Sequence, residues 1–141
     1  MGNRRKSREL AMQALFYIDI CQNDPDKAIG LFNINFNLSK NTFPFFLKLV
    51  KGVVGAKPEI NSIIESFSNN WKIFRMSHVD RNIMRIAVYE LLYCHDIPSK
   101  VSINEAIDMG KKYGTEESGA FINGILDSIR ISIEKKEIEI K

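Results

Sequence analysis

Apolar residues return along this chain at three- and four-residue spacing, and we find no convincing run of strict alternation. Leu10, Ala14 and Ile18 share a face with Ala11 and Leu15, which predicts a helix reaching about Cys21 with Ser7 as its N-cap. Asn23-Asp24-Pro25 ends that helix and opens a short one over roughly 25–34, with Pro25 in the tolerated first turn. The asparagine-rich stretch Asn35 to Thr42 reads as a loop. Phe46, Leu49, Val50 and Val53 then predict a helix over Phe43–Val54, stopped by Gly55, and Pro58 opens another carrying Ile60, Ile63, Ile64 and Phe67.

The second half is punctuated more sharply. Ser77 and Asp80 stand three residues apart ahead of Ile83, Ile86, Ala87, Leu91 and Cys94 at helical spacing. After Ile97-Pro98, Ser102 and Glu105 form the pattern of a capping box, in which hydroxyl and carboxylate satisfy backbone N–H groups that the helix cannot bond internally. Tyr113-Gly114 ends that helix and Thr115-Glu116-Glu117-Ser118 launches a last one, over about 115–131. Glu134 to Lys141 is mostly charged and reads as frayed. About seven helices on short connections make an all-α bundle, because each amphipathic stripe must be buried against another. Asn69-Asn70 is the natural seam between two subdomains, about 1–70 and about 71–133, of one domain spanning 1–141.

Composition adds a direction. The chain has 141 residues, 20 basic and 17 acidic, with a net charge of +3. Its charge is unevenly placed: Arg4, Arg5, Lys6 and Arg8 crowd the N-terminus with no acid among them, which favours an anionic partner. On a flexible arm these cations would follow a phosphate backbone; otherwise they are a solvated tail. Gln13, Tyr17, Tyr113, Phe121 and Asn123 could stack on or hydrogen-bond bases, though Tyr113 and Phe121 would serve equally as half-buried and core residues. Cys21 and Cys94 are too few for a disulfide framework and suit a reducing cytoplasm; Cys94 is expected in the core. The basic start ahead of Leu10–Ile18 imitates a signal peptide, but Gln13 and Asp19 break it and no small-x-small cleavage site follows. His78 and His95 have no partners at triad or metal spacing, and His95 would cap a helix end. The glycines at 110, 114, 119 and 124 lack the strand a phosphate cradle needs. No enzyme activity, metal or cofactor is expected.

Several segments in combination resemble the NusB family, bacterial RNA-binding transcription antitermination factors. They are the arginine-rich start into Ala11-Met12-Gln13-Ala14-Leu15-Phe16, the run Leu49-Val50-Lys51-Gly52-Val53, Trp71 with Arg75, Asp80-Arg81-Asn82-Ile83-Met84-Arg85-Ile86-Ala87-Val88-Tyr89-Glu90-Leu91, and Ile97 to Asp127. The resemblance implies a pair of three-helix-type bundles. It also implies binding of boxA-type RNA in ribosomal RNA leaders together with NusE, a small-subunit ribosomal protein, and association with RNA polymerase and other Nus factors. Its RNA face would combine Arg4, Arg5, Lys6, Arg8 and Gln13 with Tyr113, Gly114, Glu117 and Phe121, where the positive end of the last helix attracts phosphate. NusE would dock across the first helix and the helix beginning at Asp80, with Phe16 and Asp80 as contacts; Asp80 also reads as a plain first-turn acid. Ser102 and Glu105 are structural on this view, Asn104 and Asn123 would join helices through buried hydrogen bonds, and Gly124 would allow close packing. Some family members self-associate, so a homodimer is a further expectation. Two other readings stand beside this one: the RNA-binding module of an rRNA-modifying enzyme, and a helical protein-interaction module.

Overall fold

A computed structural model describes residues 2–22, 24–69 and 71–139. The described residues form seven α-helices and one short 3-10 turn, with no strand. They are α1 (Gly2–Cys21), α2 (Pro25–Phe36), α3 (Phe43–Gly55), α4 (Lys57–Ser66), the 3-10 turn Ile73–Arg75, α5 (His78–Tyr93), α6 (Ser99–Tyr113) and α7 (Ser118–Glu134). None of these helices is long and apolar enough to cross a membrane. Two compact units divide between Gly55 and Ala56. That division lies earlier than the expected seam, of which Asn70 falls outside the described residues. Its cause is α4, which packs on α5.

In the first unit α1 packs on α3, and α2 on both. The predicted stripes are buried: Leu10, Ala11, Ala14, Leu15 and Ile18 on α1, and Phe46, Leu49, Val50 and Val53 on α3. Asp24 caps α2, its carboxylate accepting from the Lys27 N–H at 3.3 Å, and Asn37 ends that helix in the left-handed region at φ 47°. The Asn23 part of the predicted break is outside the described residues. The first helix departs from expectation at its start. It begins at Gly2, so Ser7 is not a cap but a buried helical residue, with its hydroxyl 2.8 Å from the Thr42 carbonyl and 2.7 Å from that of Asn3.

In the second unit α5 packs against α4, α6 and α7. Ser77 caps it as its spacing predicts, accepting from the Asp80 N–H at 3.0 Å. Such a position explains a helix buried nearly all round, from Asn82 to Val88 and again at Glu90 to Leu92. The expected capping box on α6 is not there. The helix starts earlier, at Ser99 after Pro98, and Ser102 is buried inside it, donating to Glu90 Oε1 on α5 at 2.7 Å. Asn104 and Asn123 are exposed, so neither joins helices through a buried bond. Gly124 faces open space; close packing of α6 on α7 instead depends on Gly110, where a Cβ would stand 2.7 Å from Ile122 Cδ1. Cys94 is buried and His95 exposed beyond the end of α5, which Cys94 itself caps. Past α7, Lys136 turns left-handed at φ 62° and the Glu137 N–H bonds back to the Ser132 carbonyl at 2.9 Å. This capped turn replaces the predicted fraying as far as Ile138; positions 140 and 141 lie outside the described residues.

Candidate RNA interface

The basic segment is helical rather than a flexible arm, because the Ser7–Thr42 contact ties the first turns of α1 to the start of α3. Arg4 and Arg8 are one helical turn apart and so share a face. Their guanidinium carbons lie 4.7 Å and 5.4 Å from the centre of the Phe45 ring on α3. Arg4, Arg5 and Lys6 are exposed, whereas Arg8 is only 3% exposed and packs within the unit. Arg8 is therefore packed against Phe45 inside the unit and not carried on a flexible arm. Phe45, which sequence reasoning passed over, is the ring that orders the arginines. Gln13 and Phe16 are half-buried on α1.

In the second unit the last helix starts at Ser118, three residues later than predicted, behind a turn built on Gly114. Ser118 Oγ accepts from the Thr115 N–H at 2.9 Å, and Glu117 stands at the N-cap position without a side-chain cap bond. A Cβ on Gly114 would collide with the Ser118 side chain and come within 2.8 Å of the Gly110 carbonyl oxygen. Gly114 thus acts as a spacer in the turn between α6 and α7. Tyr113 is half-buried at the end of α6, with the Lys112 ammonium 5.2 Å from its ring centre. Phe121 is also half-buried, neither plain core nor fully exposed.

Glu117 and Phe121 line one open cleft of about 720 Å³, together with Trp71, Arg75, Asp80 and Gly124. Tyr113 and Gly114 are not among its walls. Asp80 Oδ1 is buried and, among the described residues, has no hydrogen-bond partner. Farther along α7, Arg130 donates to Asp127 at 2.8 Å and to Glu134 at 2.6 Å, and these carboxylates hold its pKa above the ordinary arginine value. Burial, with Cys94 and Tyr93 beside it, raises the Tyr89 hydroxyl above its usual range, so it stays a protonated, neutral group at neutral pH. Among the described residues no group of three or more His, Cys, Asp or Glu side chains could hold a metal ion.

Comparison with known proteins is consistent across sequence and structure. The family model described as "NusB family" matches residues 5–130. The transcription antitermination protein NusB of Desulfatibacillum aliphaticivorans is 57% identical over 137 residues, covering 97% of this chain and 96% of the relative. That of Myxococcus xanthus is 42% identical, covering 96% and 99%. The solved structure of T. maritima NusB superposes with a TM-score of 0.83 at 35% identity, over 96% of this chain and 97% of that one. A chain from the crystal structure of antitermination factors NusB and NusE in complex with dsRNA gives a TM-score of 0.86 at 29% identity, covering 94% and 98%.

Proposed function

This chain belongs to the NusB family, and on that premise we propose that it is an RNA-binding transcription antitermination factor. It recognises boxA-type RNA in ribosomal RNA leader transcripts in the cytoplasm, together with NusE, and acts by binding rather than catalysis. The complex then joins RNA polymerase and the other Nus factors. What carries the reading is near-full-length similarity to the NusB of an antitermination complex that holds both NusE and RNA. The molecule's own chemistry supports it from two sides. Arg4, Arg5 and Lys6 present three exposed cations on a helix, a sequence-independent grip on phosphate. Phe121 and Tyr113 supply half-buried rings of the kind single-stranded bases stack upon. Gln13 joins the cations on α1, and Phe16 on the same helix is the contact for NusE.

The test is binding of a labelled boxA-type RNA against a scrambled RNA, at two salt concentrations, with and without NusE. Selective binding that tightens with NusE is expected. Three phosphate contacts give a slope of log affinity on log salt near about −2 for a single strand. Equal binding to both RNAs would reduce the cations to nonspecific electrostatics, and no binding in any arm would remove the RNA reading. Glu117 gives a finer prediction. It is an exposed acid at the head of α7, where it opposes an approaching phosphate. Glu117→Gln is expected to tighten RNA binding about two- to fivefold, the effect of removing about 0.4–1 kcal/mol of exposed repulsion. Unchanged or weaker affinity would take Glu117 out of the interface.

A further inference from the structure

The first unit holds the chain's whole positive excess. Residues 1–55 carry eight basic side chains and four acids, while the remaining residues carry twelve and thirteen. Within the unit the charges are sorted by end. Ser7 brings the start of α1 to the start of α3, and the Lys51 ammonium stands 3.7 Å from Asp26, so the start of α2 meets the far end of α3. Asp19, Asp24 and Asp26 lie toward that far end, and Glu9 is the one acid in the first half of α1. Lys40 and Lys48 lie toward the other end, with the arginines. The turn that carries Lys40 is pinned there: Ser39 Oγ is 3.1 Å from Thr42 Oγ1, the Thr42 N–H bonds to the Ser39 carbonyl at 3.0 Å, and Ser7 holds the Thr42 carbonyl. Lys48 follows Phe45 by three residues on α3 and so shares the face whose ring lies beneath Arg4 and Arg8.

Lys40 and Lys48 do nothing for the fold that would explain them. Both are exposed, and among the described residues neither ammonium has an ion-pair or hydrogen-bond partner, whereas Lys51 is answered by Asp26. Gathering like charges at one end costs stability through mutual repulsion, a cost that an anionic partner removes. We propose that Lys40 and Lys48 continue the phosphate grip of α1 onto the start of α3, where they hold the backbone of single-stranded RNA flanking the segment whose bases are read. The inference rests on the RNA-binding reading and adds a surface to it. This track reads no base: the Phe45 ring beside it is covered by two guanidinium groups, which leaves point charges as the contacts. Contacts to phosphate alone position a strand without selecting its sequence.

The test compares a labelled boxA-type RNA with the same RNA extended at its 5′ or its 3′ end by a short run of uridines or of adenines. Binding to the full chain, with NusE present, is followed by anisotropy at several salt concentrations. An extension at one end is expected to tighten binding about two- to thirtyfold, the effect of two exposed ion pairs. It should steepen the slope of log affinity on log salt by about 1.4, and uridines and adenines should serve alike. The double variant Lys40→Gln, Lys48→Gln should bind the unextended RNA as the parent does and lose the gain from extension. Its stability in urea should equal or exceed the parent's, since it removes only repulsion. An extension that brings no gain, or a gain that survives in the variant, overturns the inference and leaves the proposed function standing. A gain from one base type alone makes the surface a base reader and overturns it too. Weaker binding of NusE by the variant, with the gain from extension intact, makes the lysines a protein contact, again against the inference. Failure of every RNA to bind the parent overturns both readings.

Discussion

Gly114→Ala is expected to lower the unfolding free energy by about 1–3 kcal/mol, the usual cost of forcing a methyl group into a closed space, and to weaken RNA binding with it. The new Cβ would stand 2.7 Å from Ser118 Cβ and 2.8 Å from the Gly110 carbonyl oxygen. Neither neighbour can yield cheaply. Ser118 is buried with its hydroxyl engaged by the Thr115 N–H, and the carbonyl is helix backbone that already accepts from the Gly114 N–H at 2.9 Å. Relief must come from opening the turn that sets where Glu117 and Phe121 stand. Gly124→Ala makes the matched comparison. It meets no atom within 4 Å and sits inside a helix, so it should stabilise by roughly 0.5–1 kcal/mol. Urea denaturation of both variants reads the two signs, and a Gly114→Ala protein as stable as its parent would remove the steric account of the turn.

The second large effect lies in the interior. Ser102→Ala is expected to cost about 1–3 kcal/mol, because it leaves Glu90 Oε1 without a hydroxyl donor in a buried place. A lost N-cap could cost a similar amount, so the single variant does not separate the two accounts. A double-mutant cycle with Glu90→Leu, which removes the acceptor, does. Direct contact predicts a coupling of about 0.5–3 kcal/mol between the two sites, measured as unfolding free energies in urea. Additive losses would instead return Ser102 to a local role in starting α6.

Ser102 illustrates what was legible in the sequence and what was not. Where a residue's role depends on neighbours within one helical turn, the pattern sufficed. Ser77 caps α5, the Phe46–Val53 stripe is buried, and Gly114 ends α6. Ser102 with Glu105 shows the same local pattern as a cap, but its partner is Glu90, on another helix. Ser7 fails for the same reason, since the contact that lets α1 begin at Gly2 is made with Thr42, thirty-five positions away. The candidate site divided along this line too. Phe121, Glu117 and Gly114 are nominated by the last helix's punctuation and the family resemblance. Phe45 and the Trp71 cleft were not, because a ring beneath arginines and a ring beside Phe121 exist only once separate helices have been brought together. Spacing likewise could not tell Gly124, which faces open space, from Gly110, against which Ile122 packs.

The helical form of the basic segment bears on how an RNA partner is selected. Ordering a residue's backbone costs about 1–2 kcal/mol of conformational entropy. For Arg4, Arg5 and Lys6 that freedom was already lost when α1 docked on α3 through Ser7 and Phe45. A limp tail adapts to almost any polyanion and loses its freedom anew with each one. Charges fixed on a helix reach only phosphates that come to them in the right arrangement, so strand shape becomes part of recognition before any base is read.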